Sequence, residues 1–220
     1  MIPSTIFIFG SGAQGRVIAD IFICQYPAAH LFFIDENESL AGTKVNGIEV
    51  LNIAQMLSKE NNPMVHVAIG NPNTRKIIVE RLSATGCDFI SAIHPSAEIL
   101  PSATVGKNCM IGAGVIVNTN TSIADHVLIN TRVLVEHDCI IEKYVSLSPG
   151  AIIGGRVHIK EGAFIGSAAV LVARITVEKG SIIGMASTVM NDIPAKVIAY
   201  GTPAKKVAEV TESYNWSRLF

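Results

Sequence analysis

Starting at Ile93 and stepping by six, the chain reads Ile99, Val105, Ile111, Val117, Ile123, Ile129, Val135, Ile141 and Leu147. The series runs on through Ile153, Ile159, Ile165, Leu171, Val177, Ile183 and Val189, so that all 17 positions hold Ile, Val or Leu. A second register, two residues earlier, holds only small or β-branched residues, from Ala97, Ala103 and Cys109 to Ser187. A period of six matches neither the helical repeat nor the alternation of an ordinary strand. It matches a parallel β-helix, in which each hexapeptide gives one short strand and a turn and each aliphatic side chain points into a narrow interior. Such coils bury one another's apolar faces, so none is stable alone. In the left-handed form that hexapeptide repeats are known to take, three of them close one triangular coil of 18 residues. Residues 18 apart then stack, with Thr119 below His137 and Gly155 above it.

The first ninety residues have another grammar. "STIFIFGSGAQGRVIADIF" reads as an apolar strand, a glycine turn and an amphipathic helix, with Gly10, Gly12 and Gly15 in G-x-G-x-x-G spacing. "LFFIDE" follows as a second strand ending in Asp35, about 20 residues after the last glycine, where a ribose-binding acid sits in nucleotide folds. A third strand at 64–70 leads through "NPN" into a helix over roughly 72–84. Alternating strand and helix predict a small Rossmann-like parallel sheet. The glycine turn can hold a phosphate on backbone N–H groups at a helix start, or it can serve strand–helix geometry alone. A dinucleotide fold needs two such halves, so a mononucleotide or nucleotide-linked ligand fits better than NAD. The predicted organisation is therefore 1–92 nucleotide-binding, 93–200 β-helix and 201–220 a tail, with Trp216, that forms a short capping helix.

Composition narrows the partners. A net charge of −1 favours neither nucleic acid nor an anionic membrane. Hydrophobic residues make up 49% of the chain, yet charges break every apolar run short of a membrane span, and a signal-peptide pattern is absent at the start; a cytoplasmic protein is expected. Cys24, Cys87, Cys109 and Cys139 show no CxxC spacing, and Cys109 and Cys139 fall on different walls, so no disulfide is expected.

"LVEHDCI", 134–140, breaks the monotony of the repeat. Val135 points inward, which leaves His137 on the turn side, because an aliphatic interior could not satisfy both ring nitrogens. The triplet Glu136–His137–Asp138 is either a solvated charged corner or a catalytic base with its orienting acid. Acyl transfer to an amine needs a proton acceptor working near neutrality, and imidazole, with an ordinary pKa of about 6.5, is suited to it. A carboxylate on one ring nitrogen fixes the tautomer, and spacing leaves open whether Glu136 or Asp138 supplies it.

The combination of "IFGSGAQGR", "VAIGN" at 67–71, "AIHPSA" at 92–97, "INTRVLVEHDC" at 129–139 and "GTPAKK" at 201–206 resembles the bacterial sugar acetyltransferases of the NeuD/PglD-like family. That family comprises sialic-acid O-acetyltransferases and nucleotide-4-aminosugar N-acetyltransferases. The resemblance implies a Rossmann-like domain followed by a left-handed β-helix, assembled as a homotrimer with active sites between subunits. It implies transfer of acetyl from acetyl-CoA, a cosubstrate rather than a bound cofactor, to the 4-amino group of a nucleotide-linked amino-dideoxy sugar in surface glycan (O-antigen) biosynthesis. His137 would be the general base and Asp138 the acid that raises its basicity. Nucleotide-sugar contacts would come from Gly10, Ser11, Gly12, Gln14, Asp35, Gly70 and Asn71, and acetyl-CoA contacts from Ser146, Gly155, Ser167, Gly184 and Met185. Gln14 and Ser146 stand where relatives often carry histidine. O-acetylation of a sialic-acid-like sugar remains open, since the acceptor atom leaves no mark on the sequence. A zinc hydratase on the same fold would need three clustered histidines, and no stacking of His126, His137 and His158 provides them. A β-helix that only binds is the remaining alternative.

Overall fold

The computed structural model describes residues 3–211, 214–216 and 219. The chain divides into two compact units, Met1–Pro95 and Ser96–Phe220.

In the first unit, the apolar run that predicts a strand is one: β1 (Thr5–Phe9) is buried from Ile6 onward. It leads into α1 (Ala13–Gln25), which turns Ile18, Ile21 and Phe22 onto the sheet. β2 (His30–Ile34), β3 (Lys44–Val45), β4 (Ile48–Leu51), α2 (Ile53–Lys59), β5 (Met64–Val67), α3 (Pro72–Ser83) and β6 (Asp88–Phe89) follow. The sheet order is β3-β4-β2-β1-β5-β6, parallel apart from the β3–β4 hairpin. The order reverses at β1, so the loops leaving β1, β2 and β5 share the carboxyl edge, where open α/β sheets take their ligands.

In the second unit each hexapeptide gives a two-residue strand, and strands 18 apart pair in parallel. Three walls result. Wall I holds Met110–Ile111, Leu128–Ile129, Ser146–Leu147, Phe164–Ile165 and Ile182–Ile183. Wall II runs from Glu98–Ile99 to Thr188–Val189 and includes Leu134–Val135. Wall III runs from Thr104–Val105 to Thr176–Val177. This is a left-handed parallel β-helix. From Ile111 to Val189 every aliphatic of the six-residue series is at most 2% exposed, and each stabilises the stack by roughly 1.5–3 kcal/mol through burial.

The corners obey a rule of their own. Every sixth residue from 108 to 186 has positive φ, between 53° at Ala186 and 70° at Gly162. Asn, Asp and Gly accept this left-handed conformation readily, whereas Arg132, Tyr144, Arg156 and Ala168 are held in it by the coils above and below.

One expectation is corrected here. The segment that follows the last coil is strand rather than helix through Glu209. Val197–Gly201 joins wall I beside Ile182–Ile183 and turns back as an antiparallel strand, Ala204–Glu209. Beyond it Trp216 is buried against Phe164 and Ile182, while residues 212, 213, 217, 218 and 220 of the expected capping helix lie outside the described residues. All four cysteines are free. No helix among the described residues is long and apolar enough to cross a membrane.

Stacking makes a testable distinction between glycines. A Cβ on Gly106 would lie 2.5 Å from Asp125 Oδ1 and 2.6 Å from Asp125 N in the next coil, whereas Gly150, at φ +69°, has open space around it. Gly106→Ala is expected to destabilise the protein by about 1–3 kcal/mol, seen as a lower thermal midpoint. Gly150→Asn, which keeps a residue tolerant of that φ, is expected to stay within about 1 kcal/mol of the parent.

Candidate active site

The carboxyl edge of the first unit brings together most of the residues expected around a nucleotide. Gly10 has φ +103°, and Gly15 packs so closely that a Cβ there would stand 1.9 Å from Gly10 O. These two glycines seat the start of α1 directly on the end of β1. Asp35 closes the turn: its Oδ2 accepts from Ser11 N at 3.1 Å and Ser11 Oγ at 2.5 Å, and its Oδ1 accepts from Asn37 N at 3.0 Å. Burial pushes the Asp35 carboxyl up, but the hydrogen bonds from Ser11 and from the backbone outweigh it and hold the group below its ordinary value. Asp35 therefore clamps the glycine turn, with lone-pair capacity left for a ligand hydroxyl. Asn71 is committed as the cap of α3, its Oδ1 accepting from Asn73 N and Thr74 N.

The residue that sequence reading missed is Arg75. It is fully buried, and its Nη1 donates to both Ile69 O and Gly70 O at 2.6 Å. That guanidinium holds the Gly70 turn in place. The available signal was its position four residues after the Asn71 cap, which puts it inside the first turns of a helix facing the sheet.

In the second unit, the edge between walls II and III carries the imidazole. Glu136 turns aside, accepting from Asn118 Nδ2 at 3.2 Å, and Asp138 is the acid that reaches the ring, with His137 Nδ1 2.7 Å from Asp138 Oδ2. A carboxylate only accepts, so Nδ1–H donates and Nε2 keeps its lone pair. Asp138 has further partners in the coils on either side: Asn120 Nδ2 donates to Oδ1 at 3.3 Å, and Arg156 Nε lies 3.6 Å from Oδ2. The hydrogen bond from His137, then that from Asn120, holds the Asp138 carboxyl below its ordinary value. It stays ionised wherever an imidazole titrates. Gly155 sits where stacking predicted, but the room it leaves is taken by the imidazole itself: a Cβ there would lie 2.7 Å from His137 Nε2.

A different edge, between walls I and II, carries the remaining acetyl-CoA candidates. Ser167, Gly184 and Met185 line a cleft of about 230 Å³ together with Phe164, Tyr214 and Leu219. Ser146 does not join them. It is 4% exposed within wall I, and the residue of its hexapeptide that reaches the cleft is Ser148.

Three of the other histidines are engaged structurally. His66 is buried with Nδ1 2.9 Å from Ile90 O, His126 stacks on Tyr144 with ring centroids 5.0 Å apart, and His158 Nε2 lies 2.7 Å from Glu142 Oε1. Among the described residues no group of three or more His, Cys, Asp or Glu side chains is arranged to hold a metal.

Comparison with known proteins matches residues 5–82 to the PglD N-terminal domain. The chain is 33% identical over 124 residues to the GDP-perosamine N-acetyltransferase of Escherichia coli O157:H7, an alignment spanning 53% of this chain and 54% of that relative. Among solved structures, the acetyltransferase domain of PglB from Neisseria gonorrhoeae FA1090 superposes with a TM-score of 0.85 at 30% identity, covering 93% of this chain and all (100%) of that one. A histidine variant of the Caulobacter crescentus GDP-perosamine N-acetyltransferase, in complex with CoA and GDP-perosamine, superposes with a TM-score of 0.87 at 28% identity over 93% of this chain and 97% of that one. The chain belongs to the PglD-like sugar N-acetyltransferase family.

Proposed function

We propose that the protein transfers acetyl from acetyl-CoA to the 4-amino group of a nucleotide-linked amino-dideoxy sugar, with His137 as general base and Asp138 as its orienting acid. One observation carries the reading: the imidazole is anchored through Nδ1 at 2.7 Å, which leaves Nε2 as the proton acceptor on an exposed edge. The relatives that carry bound CoA and GDP-perosamine support the two substrate classes.

The chemistry follows from that geometry. The sugar amine attacks the thioester carbonyl, forming the C–N bond while its proton passes to His137 Nε2. The imidazolium is stabilised by Asp138, whose carboxylate is already ionised and aligned. Collapse of the tetrahedral oxyanion breaks the C–S bond, and the thiolate takes the proton from His137 to leave as CoA. The nucleotide is held by the glycine turn clamped by Ser11 and Asp35 and by the Gly70 turn braced by Arg75. The start of α1 supplies backbone N–H groups toward phosphate.

The base and the Ser167–Gly184–Met185 cleft lie on different edges of one β-helix, so a site holding both draws on a neighbouring copy. Wall II, which joins those edges, carries an outward apolar stripe of Ile116, Ile152 and Val170, exposed at 39%, 41% and 38%. Such a stripe suits burial against another subunit, and a homotrimer with shared sites is part of the reading. Four free thiols and an acetyl-CoA donor suit the cytoplasm, and the product suits surface glycan assembly.

His137→Ala is expected to lower kcat by about 10²–10⁴-fold, with GDP-perosamine binding by calorimetry unchanged; full turnover in that variant would remove the mechanism. Gly155→Ala keeps an ordinary backbone conformation but drives a methyl into the ring. It is expected to cut kcat on the order of 10²-fold while the thermal midpoint barely moves.

A further inference from the structure

The tail beyond the β-hairpin is the feature that the transferase reading does not use. Its side chains are placed in two ways at once. Trp216 is 8% exposed and packs on Phe164 and Ile182 of wall I, with Tyr214 edge-on to its ring at 5.5 Å. Tyr214 and Leu219 also form one side of the cleft of about 230 Å³ whose other side is Gly184 and Met185. Trp216 thus anchors this stretch to the β-helix, while Tyr214 and Leu219 face whatever the cleft holds.

The chemistry of the cleft selects its occupant. Among the described residues no charged side chain lines it, and their polar contribution is the hydroxyls of Ser148, Ser167 and Tyr214. Phosphates and carboxylates would be stranded there without a cation. The volume is below the roughly 300–1,000 Å³ of a whole small-molecule site, so it takes a segment of a longer ligand. An uncharged chain with branched methyls and amides meets both conditions. Met185, 76% exposed and flexible, can close over such a chain. Gly184 has to be glycine, because a Cβ there would lie 2.6 Å from Tyr200 Cβ.

Building on the acetyl-CoA reading above, we propose that Tyr214 and Leu219, with Trp216 anchoring Tyr214 to wall I, form the outer wall of the donor cleft and hold the pantetheine arm of coenzyme A against Gly184 and Met185. The phosphates of the coenzyme project beyond the cleft. These residues determine affinity for the donor and have no part in proton transfer.

Trp216 is the single tryptophan of the chain, so its emission reports on this wall directly. Coenzyme A alone, without acetyl group or sugar, is titrated into the full-length protein while tryptophan emission and heat are recorded. A saturable change in emission with the same Kd as the heat is expected. Tyr214→Ala and Leu219→Ala are each expected to raise that Kd about tenfold, the loss of one well-packed apolar contact. Both should raise the KM for acetyl-CoA in step and leave kcat within about twofold. Val207→Ala, on the hairpin outside the cleft, serves as the control with unchanged Kd. Circular dichroism at the assay temperature establishes that each variant is folded. Should coenzyme A bind the parent while the Tyr214 and Leu219 variants bind equally well, or more tightly, the role of the tail is overturned and the transferase reading stands. Should coenzyme A not bind the parent at all, the transferase reading falls and takes this inference with it.

Discussion

The stacking ladder between coils governs everything in the second unit. Backbone N–H groups of one coil donate to carbonyls of the next, as in Ile116 N to Val133 O at 3.0 Å and Leu134 N to Ala151 O at 3.0 Å. This ladder fixes an 18-residue register, and the inward aliphatics follow because only that register buries them all. The site is written in the same register. Asn118 to Glu136, Asn120 to Asp138, Asp138 to Arg156 and His137 to Gly155 are each contacts between residues 18 apart. Loss or gain of a single residue anywhere between 118 and 156 would dismantle the fold and the constellation together, since a slip re-aims every side chain beyond it.

The left-handed corner position explains why an acid follows the histidine. At φ 58° Asp138 occupies the slot that Asn120 fills one coil below and Arg156 fills one coil above. Asp is among the few side chains at home there. Its carboxylate can accept from the ring of the preceding residue and from Asn120 in the coil below while Arg156 in the coil above stays within ion-pair range. Glu136 sits two positions earlier, before the corner, and its side chain is drawn to Asn118 instead. Local backbone geometry, not charge, separates the two acids.

That distinction was beyond the sequence, in which both flank His137 equally. The six-residue period was legible because packing in a narrow interior tolerates so few residue types. The small parallel sheet was legible from its alternation. What escaped had tertiary causes. The strand Ala204–Glu209 is rich in Ala, Lys and Glu, a helical composition, yet the open edge of wall I offers backbone partners that override it. Arg75 was passed over because arginine is so often exposed, whereas here two carbonyls of a tight turn needed a fork of donors from below. Ser146 was placed toward the donor by the family resemblance, at an outward slot of its hexapeptide. On wall I, however, outward means buried: Met110, Leu128, Ser146, Phe164 and Ile182 are all at most 5% exposed.

Arg156 adds a last constraint on the chemistry. Its Nε stands 3.6 Å from the same Asp138 oxygen that accepts from His137 Nδ1. A cation there adds a minor contribution to the hydrogen bonds from His137 and Asn120 in favouring the ionised carboxylate, but it also draws on the charge that would stabilise an imidazolium. Both side chains are substantially exposed, so water screens the competition and the contact at 2.7 Å outweighs the one at 3.6 Å. The base is thus held by an acid that is itself held from above and below. Its orientation is set before any substrate arrives, so none of the binding energy of the acetyl donor has to be diverted to arranging it.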